Sequence, residues 1–104
     1  MTKEESALVG LEIVAHAGDA RSNLMRALEA AKEGDYDRAE SLVKQADESI
    51  SLAHATQTSM IQAEARGEGA EFGFIMVHGQ DHLMTTMLLR DMMQHMIELY
   101  RRSN

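Results

Sequence analysis

The sequence predicts an all-α protein, an antiparallel up-down-up bundle of three helices. Three observations carry that expectation. Apolar residues recur at helical spacing through most of the chain. Two short Gly-containing breaks, Glu33-Gly34-Asp35 and Arg66-Gly67-Glu68-Gly69-Ala70, interrupt the pattern. Connections this short favour antiparallel neighbours. At 104 residues the chain reads as a single domain, residues 1–104, with a core small enough that help from partners is expected.

The first helix is predicted from about Lys3 to about Lys32. Ala7, Leu8, Leu11, Val14, Ala15, Leu24, Met25 and Leu28 supply its apolar face. Gly10 and Gly18 weaken it by roughly 1 kcal/mol each relative to Ala, so a close backbone approach is expected to require them. Gly18-Asp19 is also a candidate bend. Gly34 suits a C-terminal cap and Asp35 an N-cap. The second helix then runs to about Ala65 through Ala39, Leu42, Val43, Ala46, Ile50, Ala53 and Met60. Arg66 to Ala70 is the most turn-like segment and the expected mobile one. The third helix begins near Phe74 or somewhat later and ends near Arg101-Arg102, whose charges suit a helix C-terminus.

On the third helix, Val77, Asp81, Met84, Leu88, Met92, His95 and Leu99 form one stripe at the spacing of a packing seam. Leu89, Met93, Met96 and Tyr100 widen it, while Met76, Leu83, Met87 and Ile97 lie elsewhere around the helix. That is more apolar surface than one member of a three-helix bundle needs. The helix is therefore expected to pack on its own bundle and on another subunit. An unpaired carboxylate in such a seam would be costly, so Asp81 should be protonated, paired or bound to a cation.

Composition narrows the function. There is no Cys, which removes disulfide and thiolate chemistry within the chain and fits a cytoplasmic protein. The polar, acidic start Met1-Thr2-Lys3-Glu4-Glu5 does not resemble a signal peptide. No apolar run approaches the ~18 residues of a membrane span. A formal net charge of −7 argues against nucleic acid and anionic membrane as partners. Nine Met are read as core filler.

The chemistry concentrates in Val77-His78-Gly79-Gln80-Asp81-His82-Leu83-Met84-Thr85-Thr86. On a helix, His78, Asp81 and His82 emerge at i, i+3 and i+4 from neighbouring parts of one surface. Each also has a plain structural reading: a surface histidine, a carboxylate favoured by the helix dipole, and a packing residue. His54 reads as a satisfied core histidine. The His78/His82 pair lacks the Glu that a zincin places after its first His. Glu33-Gly34-Asp35-Tyr36 with Ala39 looks like part of a tetratricopeptide repeat, but no second copy follows.

The segment from Val77 to Thr86 resembles the active-site signature of enzyme IIA of the lactose/cellobiose/chitobiose class of the bacterial phosphoenolpyruvate-dependent sugar phosphotransferase system. The resemblance continues in Ala17-Gly18-Asp19-Ala20-Arg21-Ser22, in Ala53-His54 with Gln57-Thr58, and in Ile97-Glu98-Leu99-Tyr100, and covers essentially the whole chain. It leans toward the lactose-type members. It implies a trimer of three-helix bundles, nine helices in all. It implies that His78 accepts a phosphoryl group from phospho-HPr and passes it to a cysteine of the cognate enzyme IIB during uptake of a β-linked disaccharide. It also implies that Asp81 binds a metal ion on the trimer axis, for which Mg2+ suits carboxylate oxygens best.

The residues agree with such a role. A neutral imidazole, with a reference pKa near ~6.5, is a competent nucleophile at neutral pH. Backbone N–H groups at the helix start could receive the phosphoryl oxygens. Gln80 and His82, from this chain or a neighbour, could add donors. No Walker-type loop is present for taking phosphate from ATP. A Met- and Leu-rich face around His78 would suit docking of two different partners. Two other classes remain open at this point: a non-enzymatic helical interaction module, and a bundle using His78, Asp81 and His82 as ligands to one ion.

Overall fold

The computed structural model describes residues 1–104. It consists of three helices of 30 residues: α1 (Lys3–Lys32), α2 (Tyr36–Ala65) and α3 (Phe74–Ser103). The predicted boundaries hold at every end. α1 begins at a capping box, in which Glu5 N–H donates to the Thr2 hydroxyl at 3.1 Å and Thr2 N–H donates to the Glu5 carboxylate at 3.0 Å.

Both inter-helix breaks use the same device. Gly34 and Gly67 each adopt φ +83°, a left-handed conformation that glycine enters without steric cost. Gly34 N–H donates to Ala31 and Asp35 N–H to Ala30, while Gly67 N–H donates to Glu64 and Glu68 N–H to Ala63. These are Schellman closures, which satisfy carbonyls at the helix end. Asp35 then caps α2 by accepting from Arg38 N–H at 3.2 Å.

The bundle is a rod of 52 × 21 × 17 Å, close to the ~45 Å expected of 30 helical residues. α1 is its central member, packing along both α2 and α3, which touch each other less. That position corrects the predicted face of α1. Its buried line is Ser6, Gly10, Ile13, Ala17, Ala20, Leu24, Ala27 and Ala31, while Leu8, Leu11, Ala15 and Met25 are exposed. A helix between two others is best served by small residues that admit close backbones. A reading weighted by side-chain size therefore selects the wrong side. The α2 face is as predicted, with Met60 only half-buried.

The core has two parts. A cluster of 12 residues, including Leu24, Leu42, Ile50, Met93 and Ile97, fills one end and the middle. Only Ile13, Ala53, Met76 and Leu83 form the second cluster, toward the start of α3. On α3 the buried residues are Met76, Gly79, Leu83, Thr86, Met93 and Ile97. The seven-residue stripe is not part of this core. Val77, Met84, Leu88, Met92 and Leu99 are 49–63% exposed, and Asp81 and His95 are exposed with them. At about 100° per residue the stripe lies roughly opposite the buried face, so α3 carries two apolar surfaces and the chain covers one.

The methionines divide likewise. Met76 and Met93 are buried, whereas Met1, Met25, Met84 and Met92 are exposed, so the core-filler reading holds for only part of the set. His54 is exposed, not a core histidine, because it sits one position beyond the buried Ala53. No helix is long and apolar enough to cross a membrane.

Candidate functional site

The polar cluster lies in the second and third turns of α3. His78 is exposed and His82, one turn later, is half-buried. Their rings meet edge to face, with centroids 4.3 Å apart and planes at 70°. His82 Nδ1 is buried and has no hydrogen-bond partner. The two imidazoles thus form one unit on one flank of the helix.

The turn that carries His78 is seated directly on α1. A Cβ added to Gly79 would stand 2.9 Å from the Gly10 carbonyl oxygen, and one added to Gly10 would stand 3.0 Å from Ile75 O, Met76 N and Met76 Cα. Backbone meets backbone here, which only glycine on both helices permits. The expected close approach is therefore found at Gly10. Nothing comes within 4 Å of a Cβ built at Gly18, and α1 continues through Gly18-Asp19 without a break.

Gln80 faces the other way. Two residues after His78, it projects about 200° further round the helix. Its Oε1 accepts from Gln57 Nε2 of α2 at 2.6 Å, and the same Gln57 nitrogen lies 3.4 Å from Met84 Sδ. Within one chain, Gln80 is thus on the α2 side while His78 and His82 are on another flank. Of the two origins expected for the added donors, this chain or a neighbour, the flank of Gln80 leaves the neighbour for that residue.

Asp81 lies on the outer stripe. Its carbonyl accepts from the Thr85 hydroxyl at 2.8 Å, and its carboxylate is exposed. The burial cost anticipated for it does not arise within one chain. No group of three or more His, Cys, Asp or Glu side chains is arranged to hold a metal ion. His78, Asp81 and His82 form no such group within the chain. The first turn of α3 precedes His78. Val77 N–H already donates to Gly73 at 3.2 Å, so the amides without intrahelical acceptors precede His78.

Phe74, 91% exposed, and the exposed Ile75, four and three residues before His78, give that flank an apolar border. The exposed Ile61, Phe72 and Val77 lie on the Gln80 side, where with Met60 and Met76 they line a 290 Å3 pocket whose polar rim includes Gln57 and Gln80. The face is aromatic and β-branched more than Met- and Leu-rich, and the segment just before α3, passed over as a loop, supplies much of it. Gly10 and Gln57 were also not recognised as site residues. Gly10 carried a signal, a glycine in a helix interior, while Gln57 carried none beyond its place in a matching motif.

The class defined by this fold and site is a small all-α domain presenting paired imidazoles on an exposed helical flank. Residues 8–101 match the family described as "PTS system, Lactose/Cellobiose specific IIA subunit", and the chain belongs to that family. It is 57% identical over 104 residues to the lactose-specific EIIA component of Streptococcus mutans, covering 100% of both chains. It is 53% identical over 104 residues to that of Staphylococcus epidermidis, again with 100% of both covered. The fold is similar to the crystal structure of PtcA from S. mutans, with TM-score 0.93, 40% identity and 97% and 99% of the two chains covered. It is also similar to the IIA(Chitobiose) protein solved with HPr, with TM-score 0.79, 32% identity and 93% and 94% covered. The chain is thereby a phosphotransfer component of a sugar phosphotransferase system.

Proposed function

We propose that His78 is the phosphoryl acceptor, that phospho-HPr is the donor, and that a cysteine of the cognate enzyme IIB is the recipient, during uptake of a β-linked disaccharide of lactose type. The observation that carries this reading is the exposed His78 ring, braced by His82 on a turn locked to α1, with Phe74 and Ile75 as its apolar border. The lone pair of one His78 nitrogen attacks phosphorus as the donor's N–P bond breaks, and the donor imidazole leaves with the electron pair. The second His78 nitrogen keeps its N–H. In the next step the IIB thiolate attacks phosphorus, an S–P bond forms and the His78 N–P bond breaks. Transfer of this kind depends on positioning and on donors to the phosphoryl oxygens. The contact of the two rings supports His82 as such a donor in cis.

The open stripe of α3 supports assembly as a trimer around that face, the outer surface becoming a second core. In such an assembly the two flanks of neighbouring α3 helices face each other, so Gln80 would reach the phosphoryl group of an adjacent chain. Asp81 lies on the same stripe, and three hard carboxylates fit a divalent ion such as Mg2+ that retains some of its water. Such an ion would neutralise the clustered charge and hold the axis together.

The test is incubation with phosphoenolpyruvate, the first enzyme of the system and HPr. Acid-labile, base-stable label should map to His78 and be absent from His78→Ala, which should keep its helical content and assembly. Undiminished label in that variant would overturn the assignment.

A further inference from the structure

We infer that His95 forms a second, chemically different metal station on the assembly axis, a three-imidazole site for a zinc-like ion. The inference rests on the trimer proposed above and concerns a residue that the phosphotransfer reading does not use.

His95 is the second ionisable residue of the outer stripe and is exposed in the single chain. It follows Asp81 by fourteen residues, which is two heptads. A straight α-helix drifts only about 20° per heptad, so the two residues emerge at nearly the same azimuth. If Asp81 approaches the axis, His95 approaches it ~21 Å further along, at ~1.5 Å per residue.

The surroundings select the imidazole. Leu88 and Met92 precede it on the stripe and Leu99 follows, all about half exposed or more and all apolar, so a covering subunit would seal them from water. The flanking carboxylates are engaged elsewhere. Asp91 pairs with Arg90 at 3.1 Å and Glu98 with Arg102 at 3.0 Å. From α2, Glu40 accepts from Gln94 at 3.0 Å and lies 3.8 Å from Arg101. His95 is the one nitrogen or oxygen ligand on the stripe between Leu88 and Leu99, where Met92 offers only a soft thioether.

Three converging neutral imidazoles with an open fourth position are a donor set for tetrahedral zinc. Imidazole also suits copper and nickel, whereas carboxylate suits magnesium. The axis would then hold two stations of opposite preference, one of hard oxygen at Asp81 and one of nitrogen at His95. The three chains supply one ligand each, so the site does not exist in a single copy.

Zinc chloride titrated into chelator-treated protein tests this, with calorimetry for stoichiometry and sedimentation for assembly. The expected result is a tight event at one zinc per three chains, absent from His95→Leu and retained in Asp81→Leu. Binding at one zinc per chain would instead report the His78/His82 pair and overturn the inference. So would an event that survives in His95→Leu, or none at all in a protein that sediments as a trimer. A wild-type protein that sediments as a monomer overturns the trimer reading and this inference together.

Discussion

Gly10→Ala and Gly18→Ala are the same substitution in the same helix, and the two are expected to have opposite effects. Ala in a helix interior is favoured over Gly by about 1 kcal/mol. At Gly18 the added methyl meets nothing within 4 Å, so the full gain should be realised. For a domain of about this size, that corresponds to a rise in Tm of roughly 4–8 °C. At Gly10 the methyl would stand 3.0 Å from three backbone atoms of α3, Ile75 O, Met76 N and Met76 Cα. Carbon contacts are comfortable at about 3.5–4.0 Å, so α3 must retreat by about half an ångström or more. None of the three atoms can rotate aside. Overpacking of this kind costs about 1–3 kcal/mol, leaving a net loss of roughly 0–2 kcal/mol after the helix gain. Circular-dichroism melts at matched chain concentration should separate the variants, since assembly makes Tm concentration-dependent. Because the displaced turn lies just before His78, phosphoryl acceptance from phospho-HPr should also slow in Gly10→Ala. A Gly10→Ala protein stabilised as much as Gly18→Ala would refute the close crossing and the reason given for the glycine.

Two further expectations concern charge. Asp81→Leu extends the apolar stripe and removes a carboxylate from the proposed axis. The trimer should persist, more stable by about 1–4 kcal/mol, with bound divalent metal falling to background. Sedimentation with metal analysis checks this, and a monomeric variant would defeat it. At the start of α1, hydrogen bonding from the Thr2 backbone N–H, and then from its side chain, holds the Glu5 carboxyl below its ordinary value of 4.5. A depressed carboxylate contributes stability that is present above its unfolded pKa and lost as pH falls through the folded one. Hydrogen-exchange protection in the first turn of α1 should therefore drop in acid, below the ordinary carboxylate range. Glu5→Gln should flatten that dependence, and an unchanged profile in the variant would place its origin elsewhere.

Much of this protein was legible in one dimension. Helix number, the ends of each helix and both glycine caps follow from local rules. A left-handed cap, an N-cap and a 3.6-residue period are each decided within a few neighbouring residues, whatever the rest of the chain does. The grouping of His78 with His82 was legible for the same reason, since residues four apart on a helix are neighbours. The surplus apolar face of α3 was legible too, because the periodicity counts apolar positions all round a helix.

Which of those faces turns inward was decided only in three dimensions. α1 lies between two partners, and close packing there favoured Gly10, Ala17 and Ala20 over the larger Leu8 and Leu11. Hydropathy ranks those residues in the reverse order. The pairing of Gln57 with Gln80 joins residues 23 apart, and the contact of Gly10 with Gly79 joins the first helix to the third. Neither has a local signature, because the sequence records what each residue can bury or bond but not which distant residue will be opposite it. The tertiary structure supplied those pairings, and with them which neighbour each flank of α3 meets, α2 on the side of Gln80 and α1 beneath the turn that carries His78.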